Sequence, residues 1–234
     1  MIPIVSWPVA RATATGRLRS TALWVIAALF AILNAATASP GSHGAEILDG
    51  PPAAWLGVLT LASGVAILSD EVENGHVQLV LLRPLTRAAW YGGRFAGAWL
   101  ALGALCLIGW MVGFSAAVAR GEGFDPARIA TLGLALLWAG AWLSVLVCLG
   151  AFLPRWLNAG ALVLAAASWL LVVGIASVKR PEWAPWLQTL TGYLGPQKPS
   201  PKAGPALYDL VWIFGPWLAG VLVFNRRELA KRRS

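Results

Sequence analysis

Three carboxylates stand close together in a chain that is otherwise poor in charge, directly after an apolar stretch. They are Asp70, Glu71 and Glu73. At the C-terminal end of a helix an exposed carboxylate opposes the helix dipole at a cost of about 0.3–1 kcal/mol. Asp70 and Glu73 also repel each other at i,i+3 spacing. The cluster therefore predicts cationic partners: Arg83, Arg87, the N-terminal arginines or basic groups on another protein. A solvated loop that only ends the helix is the simpler alternative.

The segment after the carboxylates predicts a short, mostly apolar helix. Gly75 can adopt the positive φ that ends the preceding helix, and residues 77–82 supply the apolar run. Pro84 disfavours helical geometry at the residue before it. His76 and Arg83 share one narrow polar stripe at 100° per residue. Such a segment is too short to span a membrane, and it suits either a flat position at the cytoplasmic surface or an apolar groove of a partner protein.

The next apolar stretch opens with a capping residue and two arginines. Thr86 can cap the helix N-terminus, and Arg87 and Arg94 are expected to extend to the lipid headgroups. Four glycines follow in pairs with the small-xxx-small spacing that permits close helix approach. They are Gly93, Gly97, Gly109 and Gly113. Both a dimer seam and a chance match in a glycine-rich chain are compatible with this pattern.

Several kinds of chemical site are missing from the sequence. It has no GxxxxGK[ST] motif, so it does not hold ATP phosphates by the P-loop route. The only histidines, His43 and His76, fall outside the apolar stretches, which argues against an intramembrane haem or Ser–His dyad. Cys106 and Cys148 lack CxxC spacing and indicate neither a disulfide framework nor a metal site. We expect no catalytic residue, cofactor or metal in this chain.

The composition is that of an integral membrane protein. Of 234 residues, 58% are hydrophobic and 12% are charged, and the mean hydropathy is +0.69, whereas soluble domains carry roughly 25% charged residues. Crossing a hydrocarbon core of ~30 Å takes about 20 apolar residues, and helices satisfy their own backbone in lipid. Six stretches qualify, at residues 20–38, 53–69, 95–118, 129–153, 159–178 and 207–225. We predict an all-α bundle of six transmembrane helices, with residues 1–234 forming a single transmembrane domain.

The distribution of basic residues predicts the orientation. The net charge of +8 follows the membrane topology and does not indicate a nucleic-acid partner. With six spans, 12 of the 18 Lys and Arg residues lie on the side of both termini, which is therefore predicted to be cytoplasmic. The long proline-rich segment 179–206 lies on the other side, and its middle, 183–194, can rest on the surface or dip into the membrane. Few ionisable residues lie inside the spans, which argues against a proton or sodium relay.

The interval between the second and third predicted spans resembles that of the ABC-2 transporter permeases. The family commonly shows an acidic residue, a glycine, an apolar run and then Pro-x-x-Arg at this place. The matching features here are Glu71, Gly75, residues 77–82, and Pro84 with Arg87. The six-span layout, the basic N-terminal arm, the long external segment before the last span and the closing "FNRRELAKRR" are also similar. The resemblance covers most of the chain in layout, and only this interval in motif.

The resemblance implies an exporter in a bacterial inner membrane that is driven by other subunits. Two permease subunits, identical or paralogous, would pair in the membrane, and two separate ATPase subunits carrying ATP and Mg would bind below. The segment 75–82 would be a coupling helix seated in a groove of the ATPase. The implied coupling residues are Asp70, Glu71, Glu73, Gly75, His76, Arg83, Pro84 and Arg87. The acidic cluster would tie this helix to the basic N-terminal segment, which in the family is an amphipathic surface helix, although residues 9–19 here are only weakly amphipathic.

Three other functions are compatible with parts of the sequence: a related exporter subunit, a membrane enzyme and a membrane scaffold. The membrane subunit of a haem exporter has a similar acidic–Gly–apolar–Pro interval, but Arg87 and the basic tail favour the broader family. A lipid-modifying enzyme would need Asp or His clusters at membrane depth, and a non-transporting membrane scaffold would need none. A neighbouring gene that encodes a Walker A motif would distinguish transport from both. An apolar path suits a lipid, a lipid-linked glycan, a hydrophobic drug or a peptide equally well.

Overall fold

A computed structural model describes residues 5–37, 50–65, 67–68, 85–121, 127–153, 157–193, 195–196 and 203–231. Every regular element within these ranges is helical, which confirms the predicted all-α class for them. The α-helices are α1 Trp7–Leu18, α2 Thr21–Thr37, α3 Gly50–Gly64, α4 Arg87–Ala119, α5 Ala127–Gly150, α6 Leu157–Lys179, α7 Ala184–Tyr193 and α8 Ala203–Lys231. A short 3₁₀ turn, Pro181–Trp183, precedes α7.

The predicted transmembrane character is confirmed by the length and apolarity of the helices. Within the described ranges α4, α5, α6 and α8 are long and apolar enough to cross a membrane, and α1 with α2, bent by 71°, adds a fifth span if counted as one. The second predicted span, 53–69, corresponds to α3, which has 15 residues. At 1.5 Å per residue, α3 is about 22 Å long, shorter than the ~30 Å core. The count of six therefore stays a prediction.

The third predicted span starts earlier than its apolar stretch. Helix α4 begins at Arg87, whereas hydropathy placed the start at residue 95. The predicted cap is confirmed, because the Oγ1 of Thr86 accepts a hydrogen bond from the backbone N–H of Ala89 at 3.2 Å. Helix formation follows this cap, whereas hydropathy is lowered by Arg87 and Arg94 inside the first two turns.

Helix α4 lies at the centre of the bundle. Helices α1 and α2 pack along it, and α3, α5 and α8 also contact it. Aromatic rings join α4 to α8, since Trp90 stacks on Phe224 with ring centroids 5.4 Å apart. Helix α6 is peripheral, and none of the residues in its most apolar stretch is buried. The core is thus built around α4, and α6 offers an exposed apolar surface.

A hydroxyl on α5 bonds to the backbone of α8 next to the proline inside α8. Pro216 has no backbone N–H, so a carbonyl one turn earlier in α8 loses its helical partner. The Oγ of Ser144 donates a hydrogen bond to the nearby carbonyl of Ile213 at 2.6 Å, and Ser144 is 1% exposed. The carbonyl that lacks its helical partner is that of Trp212, so the Ser144 bond is an additional link between α5 and α8 beside the proline.

The segment between α6 and α8 folds back against the bundle. Leu187 of α7 is buried, and a side chain at Gly195 would meet the ring of Trp142 of α5 at 3.1 Å. The hydroxyl of Tyr208 at the start of α8 donates to the carbonyl of Tyr193 at the end of α7. These contacts hold the middle of the predicted external segment on the helices.

Candidate functional site

Most of the predicted coupling residues lie outside the described residues. They are Asp70, Glu71, Glu73, Gly75, His76, Arg83 and Pro84, and the predicted coupling helix 75–82 lies outside them too. Arg87 is described as the first residue of α4, with a half-buried side chain. The structure describes the chain up to Leu68 on one side of the interval and from Leu85 on the other. These two flanks show how the interval is attached to the bundle.

Helix α1 packs directly against the backbone of α4 near its N-terminus, the end that the sequence predicts to be cytoplasmic. A Cβ atom added at Gly93 would lie 2.7 Å from the carbonyl oxygen of Ser6 and 2.9 Å from the Cβ of Val9. A Cβ at Gly97 would overlap the carbonyl oxygen of Ala10 and lie 2.7 Å from the Cβ of Thr13. Glycine is therefore required at both positions for the two helices to touch.

Helix α1 is hydrogen-bonded to both flanks of the interval. The Nη2 of Arg17 donates to the carbonyl of Val65 at 2.8 Å, and Val65 directly follows α3, where carbonyls lack helical partners and a positive charge is favoured. On the other flank the backbone N–H of Ser6 donates to the carbonyl of Ala89 at 2.9 Å. The residue that follows α3 and the first turn of α4 are thus joined through one short helix.

Arg94 links α1, α4 and α8. Its Nη1 donates to the Oγ1 of Thr13 at 3.1 Å, and its guanidinium carbon lies 5.5 Å from the centroid of the Trp90 ring, within cation–π range. Trp90 in turn stacks on Phe224. Arg94 is thus bonded within the chain while it stays partly exposed, and its expected extension to the headgroups stays a prediction.

The second glycine pair receives α2. A Cβ at Gly109 would overlap the ring of Phe30, and one at Gly113 would lie 3.0 Å from the Cβ of Asn34. Both glycine pairs of α4 are therefore occupied by helices of the same chain. The small-xxx-small glycines are contact points for helices of the same chain. This differs from both interpretations that the sequence left open, a dimer seam and a chance match.

The sequence reasoning missed the face of α1 that makes these contacts. Ser6, Ala10, Thr13 and Arg17 recur at three- and four-residue spacing, so they share one side of the helix. Ser6, Ala10 and Thr13 are buried. A search for apolar periodicity cannot detect this stripe, because its members are small or polar. The four-residue spacing of Ser6 and Ala10 in α1 equals that of Gly93 and Gly97 in α4, and this equal spacing of small residues could have predicted the contact.

Asp209 is more deeply buried than its position near the end of a predicted span implies. It is 2% exposed within α8. A buried carboxylate is costly without a partner, and Asp209 does take part in a polar or electrostatic interaction. Asp209 is therefore part of the interior of the helix bundle, and it is also one of the few ionisable residues within a predicted span.

Helix α1 is hydrogen-bonded to both flanks of the interval and is in backbone contact with α4. Among the described residues no group of three His, Cys, Asp or Glu side chains could hold a metal ion. The chain matches no protein-family model and no curated protein.

Proposed function

We propose that this chain is the membrane permease subunit of an ABC-2 type ABC transporter and that it works as an exporter. The motif from Glu71 to Arg87 supplies the resemblance. The observation that carries the proposal is the attachment of α1 to both flanks of that interval, at Val65 and at Ala89. A coupling segment has to be anchored at both ends if a push on it is to move the spans.

The proposed layout has six spans, formed by α2, α3, α4, α5, α6 and α8, with both termini in the cytoplasm of a bacterium. Arg17, Arg87 and Arg94 all lie at the end of the bundle where the interval begins and ends. Basic residues at this end agree with a cytoplasmic position. The same side is then the one where a cytoplasmic ATPase can reach the interval.

The contacts of α1 suggest how a push would spread. A displacement of the interval acts on α3 through Arg17 and Val65, and on α4 through the helix contact at Gly93 and Gly97. It acts on α2 through the elbow between α1 and α2, where the indole Nε1 of Trp24 donates to the carbonyl of Leu18 at 2.7 Å. Three proposed spans would move together.

The proposed partners are two ATPase subunits, which bind ATP and Mg, and a second permease subunit, identical or paralogous. The ATPases would seat the coupling helix around Gly75 and His76, with the acidic cluster holding it to the basic N-terminal segment. The unburied apolar surface of α6 supports a position against membrane lipid or the second permease. Within the proposal, the energy for transport comes from outside this chain.

Affinity purification in mild detergent tests the proposal. The purified chain should carry along a polypeptide with a Walker A motif that hydrolyses ATP. A variant with Glu71→Ala and Glu73→Ala should insert normally but lose that polypeptide or uncouple its ATP turnover. Glu182→Ala is the matched control. Glu182 is exposed and pairs with Arg180 at 3.7 Å, and it lies just after the C-terminal end of α6, on the side predicted to be external. Unchanged co-purification and ATP turnover in the double variant would refute the coupling assignment.

A further inference from the structure

A narrow groove runs between α3, α5 and α6, and each of these helices contributes three of the residues that line it. The groove has a volume of ≈ 200 Å³. On α5 the lining extends from Trp138 to Leu146, which is about 12 Å along the helix. A groove of this volume and length is about 4 Å wide, which is the thickness of a single chain of carbon atoms, since non-bonded carbons lie ~3.5–4.0 Å apart. The groove is therefore long and thin.

The walls of the groove are apolar and are held by contacts outside it. Within the described residues no polar atom lines the groove, and the hydroxyl of Thr60 donates to a carbonyl of its own helix at 2.8 Å. A Cβ added at Gly64 would lie 2.6 Å from the Cδ1 of Leu146, and one at Gly195 would lie 3.1 Å from the ring of Trp142. Because neighbouring segments pack this closely against Leu146 and Trp142, these two walls are fixed before any ligand enters.

The groove is continuous with the exposed apolar surface of α6. Val163 of α6 lines the groove and is 51% exposed, and none of the described residues in the most apolar stretch of α6 is buried. The lining on α5 runs from the middle of the helix towards its C-terminal end. A length of about 12 Å covers most of one leaflet, which is half of a ~30 Å hydrocarbon core. The groove thus has the depth and the length of one lipid chain.

We infer that this groove holds one acyl chain of a membrane lipid. A polar ligand would give up its hydrogen bonds with water and find no partner in the groove. A helix of a second copy of this chain is about 10–12 Å thick with its side chains and does not fit. An empty groove would forfeit van der Waals contacts on all three helices. The acyl chain therefore fills the space between α6 and the bundle, whichever headgroup it carries. The inference does not depend on transport activity or on an ATPase.

Photo-cross-linking from a lipid tests the inference. The probe is phosphatidylcholine with a diazirine midway along one acyl chain, added to the full chain in detergent and followed by a wash with detergent alone. After illumination an adduct should remain between Trp138 and Leu146, the groove adduct. Adducts on the outer surface of α6, at Leu170 and Leu171, which are both 65% exposed, should be lost in the wash. Phosphatidylglycerol with the same diazirine chain should give the same groove adduct, because the groove contacts the chain and not the headgroup.

Two variants fill the groove from different helices. Gly57 of α3 lines the groove, and a Cβ added there would meet nothing within 4 Å, so Gly57→Leu has room for its side chain. Ala166 lines the groove from α6, so Ala166→Leu also takes up its space. Both variants should lose the groove adduct. Gly133→Leu is the matched control on α5 and should keep it, because Gly133 is exposed, lies outside the groove lining and has the same open space around its Cβ.

Three results would overturn the inference. The first is an equal yield of the groove adduct in the natural chain, Gly57→Leu and Ala166→Leu, with equal melting temperatures. The second is a natural chain that keeps no groove adduct after the wash, or keeps it only with phosphatidylglycerol, since a headgroup and not an acyl chain would then be bound. The third is a change of oligomeric state in both filling variants, because the groove would then be a contact between copies of this chain.

Discussion

Replacing Gly97 with alanine tests the contact between α1 and α4 most sharply. The added methyl group would overlap the carbonyl oxygen of Ala10 and lie 2.7 Å from the Cβ of Thr13. Backbone atoms cannot rotate away as a side chain can. Since carbon atoms pack best at about 3.5–4.0 Å, α1 must retreat from α4 by roughly 1 Å.

The size of the effect follows from two opposing contributions. Alanine is favoured over glycine inside a helix by about 1 kcal/mol, whereas overpacking costs about 1–3 kcal/mol. Retreat of α1 also strains the hydrogen bond from Arg94 to Thr13, which is worth about 1.5–3 kcal/mol for a charged donor. We expect Gly97→Ala to lower the free energy of unfolding by about 1–3 kcal/mol.

Gly103→Ala is the matched control in the same helix. Its added Cβ would meet only the Cδ2 of Leu136, at 3.8 Å, which is an ordinary contact. This variant should be neutral or more stable by up to about 1 kcal/mol. For a chain of this length the difference of about 1–4 kcal/mol between the two variants corresponds to roughly 2–16 °C in the melting temperature in detergent.

Limited trypsin digestion localises the effect. Arg17 is half-buried and bonded to Val65, so cleavage after it should be slow in the natural chain. Gly97→Ala should accelerate this cleavage, and Gly103→Ala should not. If Gly97→Ala and Gly103→Ala had the same melting temperature and trypsin cleavage after Arg17 stayed slow in both, the close packing of α1 on α4 would be refuted.

Three further predictions concern the contacts of α8 with α4 and α5. The hydroxyl of Tyr91 has no hydrogen-bond partner within the described residues, so Tyr91→Phe should raise the melting temperature, since an unsatisfied buried group costs about 1–3 kcal/mol. Gly220→Ala should lower the melting temperature, because its Cβ would overlap the Tyr91 hydroxyl. The decrease should be smaller when Tyr91 is also replaced by phenylalanine. An equal decrease in melting temperature with and without Tyr91→Phe would contradict the overlap. Ser144→Ala should cost about 1 kcal/mol by removing the hydrogen bond that joins α5 to the Ile213 carbonyl of α8, as the melting temperatures of the variant and the natural chain would measure.

The helical class and membrane embedding could be predicted because they depend on apolar length alone. A stretch of about 20 apolar residues in lipid has few alternatives to a helix. The apolar stretch 95–118 begins later than α4, because Arg87 and Arg94 lower hydropathy without ending the helix. The cap at Thr86 was recognised, since capping depends on local residue type and not on tertiary contacts.

The seating of α1 could not be predicted because it depends on shape. Ala10 and Thr13 contribute no hydrophobic periodicity, and their contact with Gly97 exists only when two distant segments are brought together. The same holds for Arg17, whose partner is the backbone carbonyl of Val65 and so carries no signature in sequence. The acidic cluster and the coupling helix were proposed from a motif and stay predictions.

Site-specific cross-linking from the interval tests the central claim most directly. A photo-cross-linking residue at His76 or Arg83 should form an adduct with a Walker A-containing polypeptide in intact cells, and ATP should change its yield after purification. The same residue at the exposed position Ser115, towards the other end of α4, should form none. Absence of the adduct from both interval positions, or labelling of position 76 by a membrane-impermeant reagent applied from outside, would contradict a coupling helix at the cytoplasmic surface.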